Sequence, residues 1–107
     1  MDDRLTRLEA TIAARRNADP ATSYVASLAA KGRAKMAQKV GEEATETVIA
    51  AVSGDKAALI AESADLIFHL ACLLADAEAS FGDVLDELER REGTSGHAEK
   101  AARPKQA

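Results

Sequence analysis

The sequence predicts an all-α fold, a single helical bundle built around two long antiparallel helices. Alanine, the residue with the highest helix propensity, supplies 25 of the 107 residues, half of those counted as hydrophobic. Larger apolar residues recur at spacings of three and four, the period of a helix with one buried face, and no segment alternates with the period of two that marks a strand. We expect helices that pack closely but bury little area per residue, because only 3% of the residues are aromatic.

The first two predicted helices precede a glycine at position 32. Helix one spans 3–16, where leucine and isoleucine recur at three-four spacing, and Pro20 follows it and disfavours helix in the residue before it. A threonine or serine at positions 22 and 23 can cap a short second helix. This helix runs through Leu28 and ends near Gly32.

Two long helices follow and form the centre of the predicted bundle. The third spans 34–52 and ends at Ser53 and Gly54, and Asp55 caps the fourth, which spans 56–79. Because the turn between them is short, the two helices should lie antiparallel. The core stripe predicted on the third helix comprises Met36, Val40, Ala44, Thr47, Val48 and Ala51; that on the fourth comprises Leu59, Ser63, Leu66, Ile67, Leu70 and Leu74.

A last helix and a polar tail complete the predicted chain. Ser80 can cap the helix, which carries apolar residues at helical spacing and stops before Gly93. Residues 1–92 therefore form one predicted domain, and residues 93–107 form a polar C-terminal tail without a core pattern.

Composition excludes several classes of protein. The formal net charge of -4 disfavours nucleic-acid binding, since that needs a basic face. The single cysteine, Cys72, excludes an intrachain disulfide, and we expect it to be a small packed residue. The sequence does not open with an apolar run flanked by basic residues, so we predict no signal peptide. The longest apolar run, "LIFHLACLLA" at 66–75, is too short to cross a bilayer. A cytoplasmic protein without membrane contact is the expectation.

Association between copies of the chain is also expected. A chain of 107 residues buries a limited area by itself, and "LIFHLACLL" is apolar on more than one side. Phe68 falls opposite the predicted core stripe, so a monomer would expose it, and an isolated surface aromatic is the alternative interpretation. We predict a homodimer with the helices at 56–79 near its interface.

Two groups of carboxylates stand beside the apolar stripes of the long helices. "EEATE" supplies Glu43 and Glu46, and "ESAD" supplies Glu62 and Asp65; each pair is three residues apart and so adjacent on a helix surface. Packing the stripes together brings the four carboxylates to one point. A solvated acidic face is the alternative. It predicts a lysine or arginine four residues after each glutamate of "EEATE", and the residues found there carry no positive charge.

A hard divalent cation would relieve this clustering of like charges, which otherwise raises the pKa values of the carboxyl groups. Oxygen-only donors favour Mg²⁺ or Mn²⁺ over zinc. The di-iron carboxylate bundle is a different possibility that needs Glu-x-x-His motifs. The residues three positions before His69 and His97 are Leu66 and Thr94, so those iron ligands are missing.

Two lysines, Lys35 and Lys39, fall on the same sector as the acids. They could neutralise phosphate oxygens, and local pairing of Lys39 with Glu42 or Glu43 is equally consistent with the spacing. Acids and lysines together indicate phosphoanhydride chemistry, in which a metal polarises phosphoryl oxygens and a carboxylate orients or deprotonates a water. The sequence has no glycine-rich phosphate loop of the P-loop kind.

The sequence resembles a known family over nearly its whole length, from about Leu5 to Pro104. "GEEATE" followed by "ESAD" resembles the Glu-Glu-x-x-Glu and Glu-x-x-Asp signature of the all-α, MazG-like nucleoside triphosphate pyrophosphatases. With "SYVASLAAKG", "ESADLIFHLACLL" and "DVLDELERREGTSGHAEKAARP", it is similar to the phosphoribosyl-ATP pyrophosphatases of histidine biosynthesis.

This resemblance implies a Mg²⁺-dependent hydrolase that cleaves phosphoribosyl-ATP at its α–β phosphoanhydride, giving phosphoribosyl-AMP and pyrophosphate. It also implies roles for the matching residues. The metal ligands would be Glu43, Glu46, Glu62 and Asp65; the catalytic carboxylates Glu42, Glu43 and Glu46; and the substrate-binding cations Lys35, Lys39, Lys100 and Arg103. Glu42 would bind a second metal or position the water.

Two other functions remain open on the residues alone. A MazG-like housecleaning pyrophosphatase for non-standard nucleotides shares the metal site but does not explain the tail. A non-catalytic helical interaction module explains neither acidic pair. Lys100 and Arg103 belong either to a solvated tail or to a phosphate-binding flap. His69 is expected to be hydrogen-bonded at a helix interface rather than to act as a catalytic base.

Overall fold

The computed structural model describes residues 2–93, 100 and 103, and in this part of the chain it is all-α, as predicted. Between residues 2 and 93, five helices follow one another. They are α1 (Asp3–Arg15), α2 (Tyr24–Lys31), α3 (Arg33–Ser53), α4 (Lys56–Asp76) and α5 (Phe81–Arg90). The α3–α4 hairpin forms the centre, and α1 and α2 pack against α4.

Local capping explains where most of these helices begin. The side chains of Ser23, Asp55 and Ser80 each accept a hydrogen bond from a backbone N–H in the first turn that follows, which satisfies a donor that would otherwise lack a partner. Ser80 and Asp83 form a reciprocal capping box. Gly54 ends α3 in the left-handed region, with φ of 80°, where glycine has no steric penalty.

The predicted end of the fourth helix is wrong by three residues, because α4 stops at Asp76 rather than near Ala79. Glu78 takes the left-handed conformation, with φ of 58°. Its N–H donates to the carbonyl of Ala75 at 3.1 Å, and the N–H of Ala79 donates to that of Leu74 at 2.8 Å. This is a Schellman ending. The sequence did not reveal it because a glutamate stands where glycine is usual.

The hydrophobic core lies where α1, α2 and the C-terminal half of α4 meet the start of α3. Its buried apolar residues are Ile12, Val25, Leu28, Met36, Ala71, Cys72 and Phe81. The burial of Cys72 agrees with its predicted packing role. By length and composition alone α4 could cross a membrane, and 17% of its most apolar window is buried. The helix contacts α1, α2 and α3.

The predicted core stripes are only partly correct. On α3, Val48 and Ala51 are exposed, and Glu43 and Ala50 are buried instead. Covered positions on α3 include a series with a spacing of four and three (36, 40, 43, 47, 50), and Lys35, Lys39 and Ala44 beside it are partly covered. This is the spacing of a seam between nearly aligned helices. On α4 the predicted core residue Ile67 is exposed, and the most buried residues are His69, Ala71 and Cys72.

Phe68 is not the exposed surface aromatic that the sequence predicts for a monomer. Its ring is half-buried against the core. It stacks on Tyr24 with ring centroids 6.1 Å apart and meets His69 edge to face at 5.2 Å. Helix α2 covers this side of α4, which a wheel drawn for α4 alone does not show.

One carboxylate, Asp76, ties the ends of three helices together. Its Oδ2 lies 2.7 Å from Arg33 Nε at the start of α3, and its Oδ1 lies 3.2 Å from Arg16 Nη2 just after α1. Arg33 also donates to the backbone carbonyl of Asp76 at 3.0 Å. The hydrogen bonds from Arg33, then from Arg16, hold the pKa of Asp76 below its ordinary value of 3.8.

Asp76→Asn should therefore lower the free energy of unfolding by about 1–2 kcal/mol at pH 7, since charge-assisted hydrogen bonds at a partly exposed site are lost. A carboxyl whose folded pKa lies below its unfolded pKa stabilises the fold above the unfolded value and loses that contribution as pH falls through the folded value. The difference between the two proteins should be constant above about pH 5 and shrink below pH 3.8. Urea unfolding at a series of pH values measures this, and a difference that stays constant down to pH 2 would contradict the ion-pair explanation.

Candidate active site

Three of the four predicted carboxylate ligands converge between α3 and α4. Glu43, Glu62 and Asp65 each offer an oxygen, and these oxygens lie within 4.8 Å of one another. Because the helices are antiparallel and joined by a short turn, residues before and after that turn face each other. We call these three side chains the acidic triad.

The acidic triad contains carboxylate oxygens that the protein does not satisfy. Oε2 of Glu43 and Oε2 of Glu62 are buried and have no hydrogen-bond partner among the described residues. Glu43 is only 7% exposed. Burial raises the pKa of Glu43, and the neighbouring Glu46 carboxylate raises it further. A buried carboxylate oxygen without a partner is costly, so the two Oε2 atoms have unused capacity for a ligand with positive charge.

Glu46, the fourth predicted ligand, is exposed and lies outside the compact triad, although it is close enough to Glu43 to affect its pKa. It lines a groove of about 270 Å³ that continues from the triad towards the α3–α4 turn. The groove is bordered by Glu46, Ile49, Ala50, Ser53, Ala58 and Glu62. The structure therefore puts Glu46 at the border between the triad and an open, largely apolar groove.

The exposed edge of the site holds Glu42 and Lys39. Lys39 Nζ lies 3.2 Å from an oxygen of Glu42 and 3.7 Å from one of Glu43, so the local pairing left open by the sequence is present. Gln38 also donates to Glu42 at 3.0 Å. The hydrogen bonds from Gln38 and then Lys39 lower the pKa of Glu42, which therefore stays ionised. Lys35 lies one turn earlier and is half-buried.

The remaining predicted substrate contacts, Lys100 and Arg103, belong to the C-terminal tail. Lys100 and Arg103 are exposed, and the charge of Arg103 contributes to the lowered pKa of Glu87 on α5, after Arg90 and Arg91. The rest of the predicted tail, at 94–99, 101–102 and 104–107, lies outside the described residues. A flap formed by the tail stays a prediction.

His69 is hydrogen-bonded at a helix interface, as expected, and is buried. Its Nδ1 lies 2.8 Å from the backbone carbonyl oxygen of Asp65, and its Nε2 lies 2.9 Å from the hydroxyl of Tyr24. No role for Tyr24 is predicted from the sequence. Tyr24 does stand in "SYVASLAAKG", one of the segments that carry the family resemblance, and its place directly after a capping serine puts it on the first turn of α2.

The acidic triad has the composition that a hard divalent cation requires. Its donors are all carboxylate oxygens, two of them are buried without a partner, and no His or Cys takes part. Oxygen-only sites of this kind suit Mg²⁺ or Mn²⁺ better than zinc. A cation here would satisfy the orphaned oxygens and screen the repulsion between the carboxylates.

Comparison with known proteins places the chain in a family. The family model described as Phosphoribosyl-ATP pyrophosphohydrolase matches residues 5–92. A Phosphoribosyl-ATP pyrophosphatase of Rhizorhabdus wittichii is 67% identical over 105 residues, covering 98% of this chain and 99% of the relative. One of Novosphingobium aromaticivorans is 67% identical over 99 residues, covering 92% of each, and one of Zymomonas mobilis is 62% identical over 104 residues, covering 97% of each. The all-α fold and the converging carboxylates agree with these matches, and the chain belongs to the phosphoribosyl-ATP pyrophosphohydrolase family.

Proposed function

We propose that this chain hydrolyses phosphoribosyl-ATP to phosphoribosyl-AMP and pyrophosphate, a step of histidine biosynthesis. The observation that carries the proposal is the acidic triad, in which Glu43 is buried and two carboxylate oxygens have no partner among the described residues, in a chain whose relatives are phosphoribosyl-ATP pyrophosphatases. In the reaction, a water oxygen bonds to phosphorus, the bridging P–O bond of the α–β anhydride breaks, and pyrophosphate leaves with the bridging oxygen.

The metal would be held by the acidic triad, Glu43, Glu62 and Asp65. Glu46 would join them from the groove. Mg²⁺, or Mn²⁺ in its place, would polarise the phosphoryl oxygens and offset their negative charge when bound there. Glu43 and Glu62 contribute oxygens that nothing else in the described chain satisfies. Glu46 is exposed, so its side chain can turn towards the triad or towards the groove.

Glu42 is the residue we assign to the water. It lies on the exposed edge of the site, and its lowered pKa keeps it ionised, so it can accept a hydrogen bond from a water and orient it. The alternative role for Glu42, as ligand to a second metal, uses the same ionised state.

Lys39 and Lys35 are assigned to the phosphates. Lys39 is paired with Glu42 and Glu43, and incoming phosphate oxygens would compete with those carboxylates for its ammonium group. This exchange would release Glu42 for the water as substrate binds. Lys35 is one turn away on the same helix and extends the cationic edge.

Pyrophosphate release from phosphoribosyl-ATP, measured beside a panel of nucleoside triphosphates, tests the proposed function. We expect turnover of phosphoribosyl-ATP with Mg²⁺ and much slower turnover of every simple triphosphate. Comparable rates on non-standard nucleotides would favour a housecleaning pyrophosphatase. No hydrolysis of any of them would favour a non-catalytic helical module.

We further propose that the enzyme is a cytoplasmic homodimer. Three other helices contact α4, and it carries the carboxylates Glu62 and Asp65 of the acidic triad, which supports a soluble protein. Exposed apolar side chains on α3 and α4 support an interface between copies of the chain.

A further inference from the structure

His69 is one of three buried polar side chains among the described residues, with Ser23 and Glu43. Ser23 caps α2, and Glu43 belongs to the acidic triad. His69 has a partner at each ring nitrogen: the carbonyl oxygen of Asp65 at Nδ1 and the hydroxyl of Tyr24 at Nε2. It therefore links a backbone group of the triad to the first residue of α2.

These two partners determine which nitrogen of His69 carries the proton. A backbone carbonyl can only accept a hydrogen bond, so Nδ1 must be the donor. In the neutral ring Nε2 is then an acceptor, and the Tyr24 hydroxyl donates to it at 2.9 Å. The proton of Tyr24 is thus committed to His69, and the lone pairs of its oxygen remain available to accept.

Tyr24 is both exposed and held in place. Its side chain is 51% exposed, yet its ring stacks on Phe68 at 6.1 Å and meets His69 edge to face at 5.7 Å. The pKa of Lys39 is raised chiefly by its hydrogen bond to Glu42, and an ionised Tyr24 would add to that effect, which puts Tyr24 within electrostatic range of Lys39, the lysine assigned to the phosphates.

We propose that Tyr24 contacts the substrate through its hydroxyl oxygen and accepts a hydrogen bond from a ribose hydroxyl, with His69 as the positioning residue that fixes this polarity. The proposal rests on the proposed function and names a further determinant of substrate specificity. Phosphate oxygens are acceptors only, so a tyrosine whose proton is committed selects against them. A sugar hydroxyl is a donor that a nucleotide substrate supplies beside its phosphates.

Tyr24→Phe tests the contact while keeping the ring on Phe68. Its KM for phosphoribosyl-ATP should rise about tenfold, the value of one neutral hydrogen bond, with kcat within about twofold of wild type because the contact does not change during the reaction. The Mg²⁺-induced rise in Tm should be unchanged. An unchanged KM overturns the proposal, whatever happens to kcat.

His69 variants separate positioning from packing. His69→Gln can present an amide oxygen to the Tyr24 hydroxyl and should keep a KM close to wild type, whereas His69→Leu cannot and should match Tyr24→Phe. The double variant Tyr24→Phe with His69→Leu should be no worse in KM than either single variant. Additive losses in KM would mean that His69 does not act through Tyr24. Nitrogen-15 NMR of the imidazole should find the Nδ1–H tautomer, and an Nε2–H tautomer overturns the assigned polarity.

Competition with sugar fragments identifies which ribose is contacted. The paired inhibitors are AMP against 2′-deoxyAMP and 3′-deoxyAMP, and ribose 5-phosphate against 2-deoxyribose 5-phosphate. Wild type should prefer the hydroxylated member of at least one pair, and Tyr24→Phe should lose that preference. The same preference in both proteins, or none in wild type, counts against the contact. A wild type that releases no pyrophosphate overturns the proposed function and this inference together, whereas an active wild type indistinguishable from Tyr24→Phe overturns this inference alone.

Discussion

Glu43→Gln should reduce turnover of phosphoribosyl-ATP by about a thousandfold, since several kcal/mol of transition-state stabilisation depend on a correctly bound metal. The same substitution should leave the metal-free protein as stable as wild type or slightly more stable at pH 7. It removes a buried charge whose Oε2 has no partner and which faces other carboxylates. If Glu43 served only to stabilise the fold, the change in the free energy of unfolding would have the opposite sign, because its substitution would lower the stability of the metal-free protein.

Mg²⁺ titration supplies the second measurement for this variant. A ligand that binds only the folded state raises stability by RT ln(1 + [L]/Kd), so Mg²⁺ should raise the Tm of wild type and have little effect on Glu43→Gln. Glu89→Gln is the matched control: the same chemical change at an exposed glutamate of α5 should leave turnover and the Mg²⁺ response unchanged.

Glu46→Gln decides whether the site has a fourth ligand. Glu46 is exposed and outside the compact triad. We therefore expect the Glu46→Gln variant to lose most of its activity and of its Mg²⁺ response, but to lose less of each than Glu43→Gln does. Wild-type turnover with a full Mg²⁺ response in this variant would remove Glu46 from the site and leave a three-carboxylate centre.

The helices were predictable because their ends depend on local chemistry. Ser23, Asp55 and Ser80 act within one turn of their own positions, so a reader of the sequence can find them. The end of α4 was missed for the converse reason. Its left-handed residue is Glu78, and a glutamate carries no sign that it will adopt a conformation in which glycine is usual.

Glu46 was predicted to join the other three carboxylates but lies outside their compact group. The convergence of Glu43, Glu62 and Asp65 was predictable because it needs only helical spacing and a short antiparallel turn. The burial of Glu43 was not, since it depends on which positions form the seam between α3 and α4. The link from Tyr24 to His69 joins residues 45 positions apart and depends on how α2 lies across α4. Spacing within one helix contains no information about that placement, and the same limitation led to the wrong exposure of Phe68.

Ile67→Asp should convert the proposed homodimer into a monomer. Ile67 was predicted to face the core, but it is 42% exposed on the helix expected near the interface. Other exposed apolar residues on α3 and α4 are Val48, Ile49, Val52 and Ile60. A charge placed on such a surface would be buried without a partner on association, which is strongly unfavourable. Phe68→Asp is a poorer test, because Phe68 packs against Tyr24 and His69 and its loss would disturb the site.

Light scattering at micromolar concentration should give wild type a mass of about twice 11.2 kDa and Ile67→Asp a mass near 11.2 kDa. Val84→Asp is the control, since Val84 is similarly exposed but lies on α5, away from the expected interface. The Tm of wild type should rise with protein concentration, as it does when folding is coupled to association, and that of Ile67→Asp should not. A wild-type mass of 11.2 kDa would contradict the dimer itself. A dimeric Ile67→Asp beside a monomeric Val84→Asp would move the interface from α4 to α5, whose own apolar face is exposed at Val84, Leu85 and Leu88.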